Sequence, residues 1–126
     1  MPQAASEHFV NWLNGRCRFL RDLEEKAQQV LQKSSDTAQY KALMREKALF
    51  LQALPEEAET YLDDLPEAVA DVAAERLDTF SRSASQSLRI DSVFFMYALL
   101  YPDDHKPGEP NNLERLAAEV AALAKK

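Results

Sequence analysis

The sequence predicts an all-α protein, a compact bundle of four to five helices, on three observations. Glycine occurs only twice in 126 residues while Ala, Leu, Glu, Gln, Lys and Arg abound, a composition that favours helix. No run of alternating β-branched residues is present to make a half-buried strand. Apolar residues recur instead at spacings of three and four along most of the chain. The length fits one domain, residues 1–126. A chain of this size buries roughly two-thirds of its unfolded surface, enough for a core without metal or disulfide support.

The first helix is expected to start near Ser6, a good N-cap, and to carry Phe9, Leu13, Cys17, Leu20, Leu23, Ala27, Val30 and Leu31 as one stripe. Asn14-Gly15 interrupts it with a turn signal, but the stripe keeps phase across the pair, so one helix is read. Lys33 to Asp36 ends it. Asp36 and Gln39 form a capping box for a second helix that buries Tyr40, Leu43, Met44, Phe50, Leu51 and Leu54, with Lys47 contributing its methylene stem. The short connection makes these two an antiparallel hairpin.

Pro55 is expected to stop the second helix or to open the next. Beyond it Ala58, Tyr61, Leu62, Leu65, Val69, Val72, Ala73, Leu77 and Phe80 stay in helical phase. Pro66 divides that run into a short helix near 56–63 and a long one over about 65–88, with Asp64 as N-cap and Glu67 as its partner; the alternative is one helix kinked at Pro66. The serines at 81, 83, 85, 87 and 92, beside Arg82 and Arg89, read as a helix end fraying into a hinge. Asp91 or Ser92 caps the nine-residue apolar segment Val93 to Tyr101, which has no strand to pair with and is read as a short central apolar helix, 93–101. Three prolines and a glycine make 102–111 a loop. Asn111 and Glu114 cap a C-terminal helix whose Leu113, Leu116, Val120 and Leu123 repeat in heptad-like spacing up to Lys125 and Lys126.

The net charge is −6, and residues 54–78 hold nine acidic side chains against one basic. Glu56, Glu59, Asp63, Glu67, Asp71, Glu75 and Asp78 recur every three or four residues and line one helix side, repelling each other by a few tenths of a kcal/mol per pair. Two readings stand: a solvated face, or a strip that docks a basic partner surface. Arg16, Arg18 and Arg21 form the one basic cluster, too small for nucleic acid on an acidic chain and better read as an internal partner for the acidic strip.

Other chemistry finds little footing. Asp103, Asp104 and His105 are adjacent, whereas metal ligands usually come from spaced positions, so a solvated turn is expected and no metal is assigned. Cys17 lies on the apolar stripe as a small buried hydrophobe. No glycine-rich phosphate loop or nucleophile elbow occurs, and no cofactor is assigned. The longest apolar run falls well short of the ~20 residues of a bilayer span. The start of the sequence lacks the basic and apolar regions of a signal peptide, and the single cysteine suits a reducing compartment, so the cytoplasm is expected.

Aromatic residues concentrate at interface centres, and Phe94, Phe95, Tyr97 and Tyr101 are more than a short buried helix needs. The sequence therefore predicts a non-enzymatic module that binds another protein, in the manner of an adaptor or small helical chaperone. Its contacts would be the acidic face, Glu67, Asp71, Glu75 and Asp78, and an aromatic patch, Phe94, Tyr97 and Tyr101. Neither nucleic acid nor membrane is expected as a partner. The alternatives are a self-associating subunit, a homodimer built on the Leu113–Leu123 heptad, and a small-molecule or metal enzyme inside the bundle. The last requires enclosed ionisable groups, of which the assigned stripes are almost free.

Overall fold

The computed structural model describes residues 2–124, all of them in helices or short connections. Helix α1, Pro2–Ser34, is one unbroken rod of roughly 50 Å. It begins before the expected cap: Pro2 has the fixed φ that suits a first helical turn, and Ser6 lies inside the helix and buried. Gly15 stays helical because the stripe on either side of it, Leu13, Cys17 and Leu20, is locked in the core. The left-handed Ser35 (φ 50°) ends the helix. Asp36 then accepts a hydrogen bond from the Gln39 amide at 3.0 Å and caps α2, Thr37–Leu62, as the sequence predicts.

Pro55 does not break α2. A proline inside a helix costs about 3 kcal/mol or more. The flanking Leu51, Leu54 and Ala58 are all fully buried, and that packing holds the helix through the missing hydrogen bond. The expected short helix 56–63 is therefore the last part of α2. The break falls at Pro66, with Leu65 buried in the turn. Pro66 itself occupies the cap position of α3, Glu67–Arg89, and Asp64 makes no cap; its amide donates to the Tyr61 carbonyl within the turn.

The serine-rich end of α3 does not fray. Ser81 donates to the Gln52 carbonyl at 2.9 Å, and Ser85 accepts from the Gln52 side chain at 2.8 Å. Ser87 is buried and bonds back to the Ala84 carbonyl. Ser81 and Ser85 thus pin α3 to α2 rather than loosening it, and the Ser87 hydroxyl is satisfied within α3 itself.

Ser92 caps α4, Val93–Ala98, by accepting from the Phe95 amide at 3.1 Å. The helix is shorter than the apolar run: Leu99 turns extended and Leu100 is left-handed (φ 74°). That reversal sends Leu99 and Leu100 into the core. The loop closes where the Asn112 amide donates to the Leu100 carbonyl at 3.0 Å. Asn111 and Glu114 then form the expected capping box of α5, Asn112–Ala124, with both reciprocal bonds at 2.8 Å. Lys125 and Lys126 lie outside the described residues.

Helices α1, α2, α3 and α5 pack in a closed ring, each against the next. Cross-helix pairs fix the directions. Trp12–Tyr61, Phe19–Phe50 and Glu24–Lys47 make α1 and α2 antiparallel. Gln52–Ser85 and Lys41–Asp91 do the same for α2 and α3. Arg21–Glu114 at one end and Arg76–Glu119 nearer the other set α5 antiparallel to α1 and α3. Phe9, Leu13, Leu20, Leu51, Leu54, Leu77, Leu116 and Val120 fill the interior. The α5 heptad faces inward, with Leu113, Leu116 and Val120 fully buried and Leu123 partly buried against the core. Helix α4 packs on α2 and α3 at one end of this bundle, not at its centre.

Candidate functional site

Glu67, Asp71 and Glu75 lie exposed along α3 and make no ion pair among the described residues, while Asp78 pairs with Arg82 at 2.8 Å. Phe94 and Tyr97 belong to α4, beyond the other end of α3. A 23-residue helix is about 35 Å long, so the acidic strip and the aromatic patch are two separate surfaces. The arginine cluster does not partner the strip either. Arg16 stacks on Phe19 and Phe50, its guanidinium carbon 5.5 Å from each ring centre. Arg21 turns to α5 and grips Glu114 through Nε at 3.1 Å and Nη2 at 2.6 Å.

The aromatic end is built by the local fold of α4. Ser92 starts the helix so that Met96 faces the core, and six residues leave the opposite side without cover. Phe94 is 73% exposed, Phe95 50% and Tyr97 51%, with Ile90 half-exposed beside them. The Phe94 and Phe95 rings meet edge to face at 5.7 Å. On each flank of α4 lies a cleft. One, of about 320 Å³, runs along α3 past Ser83, Gln86 and Phe95. The other, of about 350 Å³, opens between α1, α2 and Tyr101.

Beneath the second cleft the structure encloses ionisable groups that the sequence reading did not expect. Lys47 sits on the apolar face of α2 between Met44 and Leu51, and the whole side chain, ammonium included, is 0% exposed. Its Nζ donates to Glu24 Oε2 at 3.0 Å and to the Tyr97 carbonyl at 2.8 Å. Tyr97 is in the last turn of α4, where carbonyls have no helical partner and cations are favoured, so Lys47 caps that helix from inside. Tyr101 donates from its hydroxyl to Glu24 Oε1 at 2.7 Å and receives Arg21 Nη1 at 3.3 Å. His105 stands edge-on to the Tyr101 ring at 4.8 Å and donates from Nε2 to the Glu109 carbonyl at 2.9 Å. The loop 99–111 is thus tied to α1 through one continuous set of bonds.

Charge and burial set the protonation of this network. Burial holds the Lys47 ammonium below the usual lysine range, opposed by the neighbouring Glu24. Burial first, then the hydrogen bond and charge of Glu24, push the Tyr101 phenol up. The bond from Arg21 holds Glu114 below the ordinary carboxylate range, against its partial burial. The Lys47 amine is closed off from any substrate, and its bonds all go to protein groups, so the arrangement fastens elements together. Cys17 is buried and its thiol is pushed up to about 11, mainly by that burial. Among the described residues no three His, Cys, Asp or Glu side chains converge to hold a metal ion, and no helix is long and apolar enough to cross a membrane.

Sequence reasoning missed Glu24 and the role of Lys47. The signal is a lysine in phase with a buried stripe, of which the sequence predicts only the methylene stem in the core. Compared with known protein families, curated proteins and solved structures, the chain shows no significant match.

Proposed function

We propose that the protein is a non-enzymatic interaction module, acting in the cytoplasm, that binds another protein through the α4 end of the bundle. The observation that carries this reading is the set of three neighbouring aromatic residues, Phe94, Phe95 and Tyr97, each half or more exposed on a six-residue helix. Leaving that much aromatic surface in water is unfavourable, and such patches mark places where a partner excludes water. The bonds of Lys47 and Tyr101 hold this ridge against the bundle, so little ordering cost falls on binding. The flanking clefts give a partner's side chains somewhere to insert. The acidic strip Glu67, Asp71 and Glu75 lies too far away to join the same contact and is read as a solvated face.

The test compares proteins co-isolated with the wild type, with Phe94→Ala/Phe95→Ala, and with Glu67→Lys/Asp71→Lys/Glu75→Lys. A specific partner should be lost with the aromatic pair and kept with the charge reversals. A partner that survives loss of both rings would overturn the assignment.

A further inference from the structure

We infer that the cleft between α1, α2 and Tyr101 is a binding site for an alkylammonium group. Its walls hold three phenol rings, Tyr40, Tyr97 and Tyr101, and two carboxylates, Glu24 and Glu25. Aromatic rings set around a volume with a carboxylate beside them attract an organic cation through the negative faces of the rings. The volume, about 350 Å³, lies within the range of small-molecule pockets.

The charges lining the cleft are already matched except one. Arg21 is neutralised by its two bonds to Glu114, and Glu24 by Lys47. Glu25 makes no ion pair among the described residues, which leaves one net negative charge at the cleft. The field of Glu24 also reaches the Tyr40 phenol, which burial and the nearby Tyr97 and Glu24 push up.

The protein already pairs these rings with an ammonium from inside. Lys47 Nζ lies 5.0 Å from the centre of the Tyr101 ring and 6.0 Å from that of Tyr97. A second alkylammonium approaching from the open side meets Tyr40, Tyr97 and the free Glu25. The inference stands apart from the partner-binding reading, because a small amine alone is enough to test it.

The experiment is a titration of the full chain with n-butylammonium chloride, followed by the NMR shifts of the tyrosine rings, with 1-butanol at matched ionic strength as the neutral control. The expected result is saturable binding, with Kd on the order of millimolar, at the Tyr40, Tyr97 and Tyr101 signals and none with 1-butanol. Tyr97→Phe keeps the ring and should bind within about twofold of wild type. Tyr97→Ala and Glu25→Gln, both at exposed positions that leave the core intact, should each weaken binding about fivefold or more. No saturable shift, equal shifts with 1-butanol, or affinity unchanged by Glu25→Gln would each overturn the assignment.

Discussion

The ammonium of Lys47, on α2, donates a 2.8 Å hydrogen bond to the backbone carbonyl of Tyr97, on α4. One fully buried cation thereby stabilises the C-terminus of the helix that carries the exposed aromatic ridge, and Glu24 on α1 neutralises it from the other side. The presentation of α4 depends on this contact, since a six-residue helix cannot hold itself together in water.

Removing one partner of a buried ion pair leaves the other uncompensated. Lys47→Ala is expected to destabilise the fold by about 3–5 kcal/mol. The volume-matched pair Lys47→Met with Glu24→Gln removes both charges and should cost clearly less than Lys47→Ala. Urea midpoints at constant m value measure the difference. Equal losses in both variants would show that the charges are not coupled.

The pH dependence has two arms of opposite cause. Glu114 is held below its ordinary value of 4.5, so its contribution is complete above that value and is lost as pH falls through the lower folded value. Lys47 is held below its ordinary value of 10.5, so the unfolded chain binds the proton more tightly, and the penalty of burying the charge is relieved as pH rises toward 10.5. Glu114→Gln should flatten the acid arm of a stability–pH curve, and Lys47→Met with Glu24→Gln should remove the alkaline rise. A curve for either variant that overlays the wild type contradicts the corresponding assignment.

Cys17 is expected to resist thiol reagents. With its thiol pushed up to about 11 and its side chain in the core, it should react with iodoacetamide at pH 8 many times more slowly than in the urea-unfolded chain. Comparable rates in the two states would place the thiol at the surface.

Most of the fold was legible because caps and stripes act locally. Asp36 caps α2 and Asn111 with Glu114 forms the full capping box that their spacing predicts, and of the two caps expected at 91 or 92 it is Ser92 that bonds the Phe95 amide. The misreadings came where tertiary packing overrode a local signal. Pro55 should stop a helix or open one, yet buried neighbours carry α2 through it; at Gly15 the unbroken stripe outweighs the turn signal, as the sequence predicts. The sequence predicts one central helix over the apolar run 93–101, because periodicity cannot reveal that Leu99 and Leu100 turn inward while Phe94 and Phe95 turn out. Of the candidate contact residues, Phe94 and Tyr97 share a surface, and Tyr101 lies below it in the polar network. The acidic residues stand elsewhere. Which distant segments meet, such as Glu24 with Tyr101 or Arg21 with Glu114, is a property of topology that no single stretch of sequence encodes.

The most direct measurement is photo-cross-linking in cells with benzoylphenylalanine placed at 94 or 95 on α4, and at Asp71 on the acidic strip and Ala118 on α5 as exposed controls. Exposed ring positions accept the probe with stability changes within about 0.5 kcal/mol. The account predicts one discrete heterologous adduct from positions 94 and 95 and none of that mass from the two controls. Adducts from 94 and 95 that match those of the controls, or that contain only a second copy of the chain, would contradict it.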